Sequence, residues 1–186
     1  MIHESYPWKQ DLLRRKRLII KYNTAERYIK NEKTMYTVIE KGIFYSAFII
    51  RKLIDCKTKL SDEADNYSMH IKAIKPLRNI DSMHNWPKFT NYDWESERDV
   101  TVAGKNICNW LMHSFVFFVG CQEDGVVMQF YVASDYDRNN VLYKILLADW
   151  LKYIDYIATD YIVELNSRYD ERIKDYRYNR KKRGTL

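Results

Sequence analysis

Apolar residues recur at helical spacing through the N-terminal third of the chain. From Lys9 to Asn31, Leu12, Leu13, Ile19, Ile20 and Ile29 trace a loose apolar face, and Arg14 to Arg17 lie on a basic one. Asn31-Glu32-Lys33-Thr34 interrupts the pattern. It reads either as a break capped by Thr34 or as a kink within one long helix. Thr34 to Lys57 carries the widest band, with Val38, Ile39, Ile43, Tyr45, Phe48, Ile49, Leu53 and Ile54. A band of that width predicts a helix central to a bundle, and Gly42 lets a neighbouring helix approach it. Arg51 sits inside the band and, as a charge among apolar residues, needs a polar partner or an exit to solvent.

The pattern loses its period between Lys59 and Val100. Pro76, Pro87 and many Asn, Asp and Ser residues predict an irregular segment, with one strand near Met69 to Ile74. The aromatic-rich piece from Trp86 to Trp94 makes this a packed covering loop rather than a disordered linker. Helical spacing returns from Thr101 to Ser114. It then gives way to β-rich runs over Phe115 to Val119 and Val126 to Ala133, joined through the Glu123-Asp124-Gly125 turn, a hairpin signal. A third strand follows over Val141 to Ile145. From Asp149 to Tyr176 the spacing of Trp150, Leu151, Ile154, Ile157, Ala158, Tyr161, Ile162 and Leu165 predicts a last long helix. The fold expected is mainly α: a helical bundle with a small antiparallel β-meander (residues 115–145) inserted before the last helix. It forms one domain over residues 1–176, covered by the loop at 59–100 and followed by a basic tail at 177–186.

Composition changes this picture little. Five glycines and three prolines in 186 residues suit long helices. Cys56, Cys108 and Cys121 are odd in number, lie in apolar runs and form no CxxC pair, so they read as reduced core thiols. The first residues carry no apolar leader, and no apolar run is long enough to span a bilayer, so a cytoplasmic protein without a membrane partner is expected. His3, His70, His84 and His113 lack metal-ligand spacing, and no phosphate- or dinucleotide-binding glycine pattern occurs; neither metal nor cofactor is expected.

Charge is more informative. The net charge is +6, and residues 168–186 hold eight Lys/Arg against three acids, or +5 of it. Arg177, Arg180, Lys181, Lys182 and Arg183 alternate with Tyr178 and Asn179. Such a tail either tracks a nucleic-acid backbone and stacks on bases, or forms a solvated helix end. On either reading its charge is separable from the fold.

The segment with candidate chemistry is Ile107-Cys108-Asn109-Trp110-Leu111-Met112-His113-Ser114-Phe115. On a helix, Asn109 and His113 share a face one turn apart. Either both are polar groups bonded to the covering loop, or His113 acts as a general acid/base with Asn109 orienting it or a phosphate. Cys108-Asn109-Trp110-Leu111-Met112-His113 resembles the motif of the HEPN superfamily. In these all-helical domains an Arg and a polar residue precede apolar positions and a His. Many are metal-independent RNases of bacterial defence and toxin systems, active as dimers, and others are non-catalytic. The resemblance implies His113 as acid/base and Asn109 as the phosphate-positioning residue, with RNA as substrate and a homodimer or another protein as partner. Cys108 stands at the Arg position and cannot support developing phosphate charge. Arg51 is the candidate to supply it. Arg78-Asn79-Ile80-Asp81-Ser82-Met83-His84 repeats the Arg, Asn, His order without an apolar helix around it. The alternative implied by the lost Arg is a catalytically silent interaction subunit, with the segment from Trp86 to Trp94 meeting its partner.

Overall fold

The computed structural model describes residues 2–86 and 88–182, and it corrects the fold class. The chain is 43% helical and 30% strand, a mixed α/β protein rather than a mainly helical bundle. Two long helices open it, α1 (Ser5–Tyr22) and α2 (Ala25–Asp55), followed by the single turn α3 (Asp62–Asp65) and strand β1 (Ser68–Ile74). Strand β2 (Arg98–Ala103) runs directly into helix α4 (Gly104–Met112). The meander β3 (Ser114–Cys121), β4 (Val127–Ser134) and β5 (Leu142–Leu146) comes next, then helix α5 (Leu147–Thr159). A last hairpin, β6 (Ile162–Asp170) and β7 (Asp175–Lys182), completes the described chain.

The expected meander is present but belongs to a larger, wholly antiparallel sheet of order β2-β1-β5-β4-β3. Residues alternate between its two faces, as strand geometry requires. Met69, Ile71, Phe130, Val132 and Ile145 face the helices and join Leu12, Ile43, Ile50, Leu111, Trp150 and Ile154 in the main core. Ile74, Val116, Tyr131, Ala133 and Leu142 face the other way and are covered by Ile80, Tyr92 and Trp94 from the connection between β1 and β2. That connection is therefore a packed cover. Backbone bonds from Leu77 to Asn91 and from Asp93 to Lys75 (both 2.9 Å) hold it together. The Ile80 N–H, donating to Asn139 Oδ1 at 2.7 Å, ties it to the sheet.

The break near Asn31 is a kink. Asn31 leaves helical geometry (φ −167°, ψ 87°), and its side chain, rather than Thr34, accepts the first free N–H, from Thr34 at 2.8 Å. The earlier interruption, capped by Thr24, falls at residues 23–24. There the Asn23 amide pairs with both backbone groups of Val127, fastening the helix pair to β4. Gly42 has the expected role, since a Cβ there would lie 2.6 Å from Ile19 on α1.

Three expected boundaries are corrected. Residues 101–103 complete β2, because Val100, Thr101 and Val102 are β-branched and pair with β1. Residues 160–176 are not helical: α5 stops at Thr159, and Leu165, Ser167 and Tyr169 face Arg180, Tyr178 and Tyr176 across a ladder. Asp170 accepts the Arg172 N–H and Lys174 takes φ +50°, which closes the turn. Residues 177–182 of the expected tail lie in β7; residues 183–186 lie outside the described residues.

Candidate functional site

Helix α4 is short, and its last turn places the motif. Gly104 starts it where β2 ends, because a side chain there would meet the Tyr153 ring at 2.4 Å. Ile107, Cys108 and Leu111 turn inward and are buried. Asn109 and Trp110 lie at the rim of that buried face, half-buried, and Trp110 stacks flat on Tyr143 at 3.7 Å between ring centres. His113 ends the helix. Its N–H donates to the Asn109 carbonyl, and its own carbonyl accepts the Asp135 N–H, both at 3.0 Å. The helix end is thus hooked onto the turn after β4.

Arg51 reaches Asn109. Its Nε donates to Asn109 Oδ1 at 2.7 Å across the packed pair α2 and α4, and its Nη1 pairs with the Asp55 carboxylate one turn further along α2. The Arg51 side chain is 29% exposed; its bond to Asn109 is partly buried and its pair with Asp55 is exposed. Arg51 also bears electrostatically on Cys108. Burial pushes that thiol far up, and the guanidinium opposes the shift without reversing it. Cys108 is a neutral core thiol as expected and Cys56 is half-buried against the core, whereas Cys121 is exposed at the end of β3, which corrects the expectation for it.

The structure therefore brings Arg51 and Asn109 together and leaves His113 on the surface. The imidazole makes no hydrogen bond or ion pair among the described residues. Asn109 Oδ1 is engaged by Arg51, and its NH2 group has no partner among the described residues. Arg51 has spent its charge on Asp55. That acid is legible in the sequence, since Arg51 and Asp55 are spaced as an i,i+4 pair.

The second Arg, Asn, His series lies in the covering connection. Arg78 and Asn79 are exposed, and His84 Nδ1 contacts Asp81 Oδ1 at 2.8 Å, so a local turn accounts for it.

The expected nucleic-acid residues are engaged within the chain. Arg180 is buried to 8% exposure. It donates from Nε to Asp62 (2.7 Å), from Nη2 to Asp65 (2.9 Å) and from Nη1 to the Lys57 carbonyl (3.1 Å). Burial works against its charge, but the carboxylates of Asp65 and Asp62 outweigh it and raise its pKa. Arg177 pairs with Asp170 at 2.5 Å, Lys181 with Glu164 at 3.0 Å, and Lys182 donates to Tyr156 Oη at 2.9 Å. Arg183 lies outside the described residues. Arg168, Arg172 and Lys174, at the turn end of the hairpin, make no ion pair among the described residues.

Among the described residues no three His, Cys, Asp or Glu side chains gather as a metal site, and no helix is long and apolar enough to cross a membrane. Comparison of the chain with protein-family models, curated proteins and solved structures gave no match.

Proposed function

We propose that this protein is a catalytically silent binding subunit in which Arg51 and Asn109 join two helices rather than cradle a phosphate. The observation that carries this reading is the Arg51 guanidinium, bonded to Asn109 and neutralised by Asp55. A residue meant to meet developing phosphate charge needs a free, preorganised cation, and this one is already partnered. The covering connection supplies a surface for a protein partner. Tyr92 and Trp94 pack on the sheet, which corrects their expected availability, while Met83 (83% exposed) and Trp86 (67% exposed) face solvent. Asn91 Nδ2 donates to the carbonyls of His84 (3.1 Å) and Trp86 (2.8 Å), fixing the backbone that presents them. Ordered, exposed, large apolar side chains suit an interface.

A second reading keeps the RNA-cleaving function implied by the HEPN resemblance, in a defence or toxin setting. The exposed, unengaged imidazole of His113, one turn beyond Asn109, favours it. One experiment separates the two. Purified protein and its His113→Ala variant are incubated with total RNA in EDTA. The silent subunit gives no cleavage from either; cleavage by the wild type that the variant lacks overturns it.

A further inference from the structure

A groove of about 590 Å³, whose lining includes neither Asn109 nor His113, opens where three chain segments meet. Trp8 at the start of α1, Phe48 on α2 and Tyr178 on β7 give it aromatic walls, and Ile2 and Cys56 line it with apolar surface. Its volume falls within the range of small-molecule sites, roughly 300–1,000 Å³. The helix builds one side by simple periodicity, since Phe48, Lys52, Asp55 and Cys56 recur at helical spacing and share a face.

The walls are tied to one another. The Ile2 N–H donates to Cys56 Sγ at 3.1 Å, Lys59 Nζ donates to the His3 carbonyl at 2.8 Å, and Lys57 pairs with Asp175 of the hairpin at 2.5 Å. Trp8 and Phe48 lie 6.4 Å apart between ring centres at 39°, which leaves an angled aromatic surface rather than a closed stack.

The charged residues that line the groove, Lys52, Lys57, Asp55 and Asp175, cancel formally, but Asp55 is shared with Arg51, a cation outside the lining. Lys57 is neutralised by Asp175, and Asp55 by Arg51. Lys52 has no carboxylate partner among the described residues; its ammonium sits 5.8 Å from the centre of the Phe48 ring. With Arg51 counted, one cation, Lys52, is left without an acid among the described residues, and it stands beside the Phe48 wall. A cationic ligand meets repulsion there, and a neutral one leaves the ammonium unused. We propose that this groove binds a small planar aromatic anion, an aryl carboxylate, sulfonate or phosphate. The ring rests against Trp8 and Phe48, and the acid group pairs with Lys52. The proposal is independent of whether His113 cleaves RNA.

The test uses the full chain and 8-anilinonaphthalene-1-sulfonate, titrated by fluorescence and by calorimetry. One-site binding is expected, weakened about tenfold in Lys52→Met, the scale of one lost charge-assisted contact. Lys21→Met, an exposed lysine on α1, serves as the charge control and should bind as the wild type does. The neutral N-phenyl-1-naphthylamine should bind wild type and Lys52→Met alike, which shows that the variant keeps its groove. Weakening by less than about threefold in Lys52→Met, equal weakening in Lys21→Met, or an equal loss of the neutral probe each overturns the assignment.

Discussion

At the scale of single residues, the behaviour of Arg51 follows from the cost of burying charge. Within an apolar band it must find acceptors, and it finds Asn109 and Asp55. The band leaves a polar partner and an exit to solvent both open, and the structure takes the first, toward α4. Its pairing with Asp55 is carried by charge spacing on one helix, a signal that apolar periodicity does not contain. His113 shows the opposite limit. The helical spacing placed it one turn beyond Asn109, but nothing in the spacing told whether the helix end would be covered. The residue is exposed and its imidazole has no partner among the described residues, so His113→Asn should change the unfolding free energy by no more than about 0.5 kcal/mol. A loss of about 1–3 kcal/mol in urea unfolding would mean that the imidazole holds a partner.

Elements were legible where one period dominated and illegible where two coincided. The meander emerged from β-rich runs around Asp124-Gly125, and Gly125 indeed takes φ +81°. The final hairpin did not emerge, because Tyr161, Ile162 and Leu165 extend the helical spacing of α5. The deciding signal was the alternation of Leu165, Ser167 and Tyr169, which answers that of Tyr176, Tyr178 and Arg180. The hairpin's acids make it sensitive to pH. Asp170 is held low chiefly by the Arg172 N–H, Asp175 by Lys57 and Glu164 by Lys181. Folded pKa values below the ordinary 3.8 and 4.5 mean that the folded hairpin binds fewer protons than the unfolded one. Its stabilisation is therefore complete above those values and is lost as pH falls through the lowered ones. Backbone NMR from about pH 6 to about pH 2 should show β6 and β7 loosening before β3 and β4. Simultaneous loss of all four strands would contradict this. The junction of β2 and α4 is a second point of sensitivity. Gly104→Ala drives a Cβ into the buried Tyr153 ring and should cost about 1–3 kcal/mol in urea unfolding, and a neutral result would mean that the ring can move aside.

For the whole molecule, the layers come from one sheet with two covered faces, helices on one side and the β1–β2 connection on the other. The sequence pattern supplied the existence of α1, α2, α4 and α5 but not their bounds, together with the three meander strands and the packed connection. It did not show that β1 and β2 join the meander, because pairing between distant segments leaves no local signature. The same blindness made the C-terminal charge look detachable, when Arg180 in fact anchors β7 to α3 through Asp62 and Asp65. Deleting residues from Tyr178 onward should consequently destabilise the protein by about 1.5–3 kcal/mol or more, the scale of a lost charge-assisted hydrogen bond, and a melting curve like that of the full chain would argue against the anchor. The central claim is that Arg51 and Asn109 form a bond between α2 and α4. A double-mutant cycle with Arg51→Met and Asn109→Ala, followed by urea unfolding, measures that bond directly. The account predicts a coupling of about 1.5–3 kcal/mol, as for a hydrogen bond to a charged group. Additive effects within about 0.3–0.5 kcal/mol would show that the two residues do not act on one another and would contradict it.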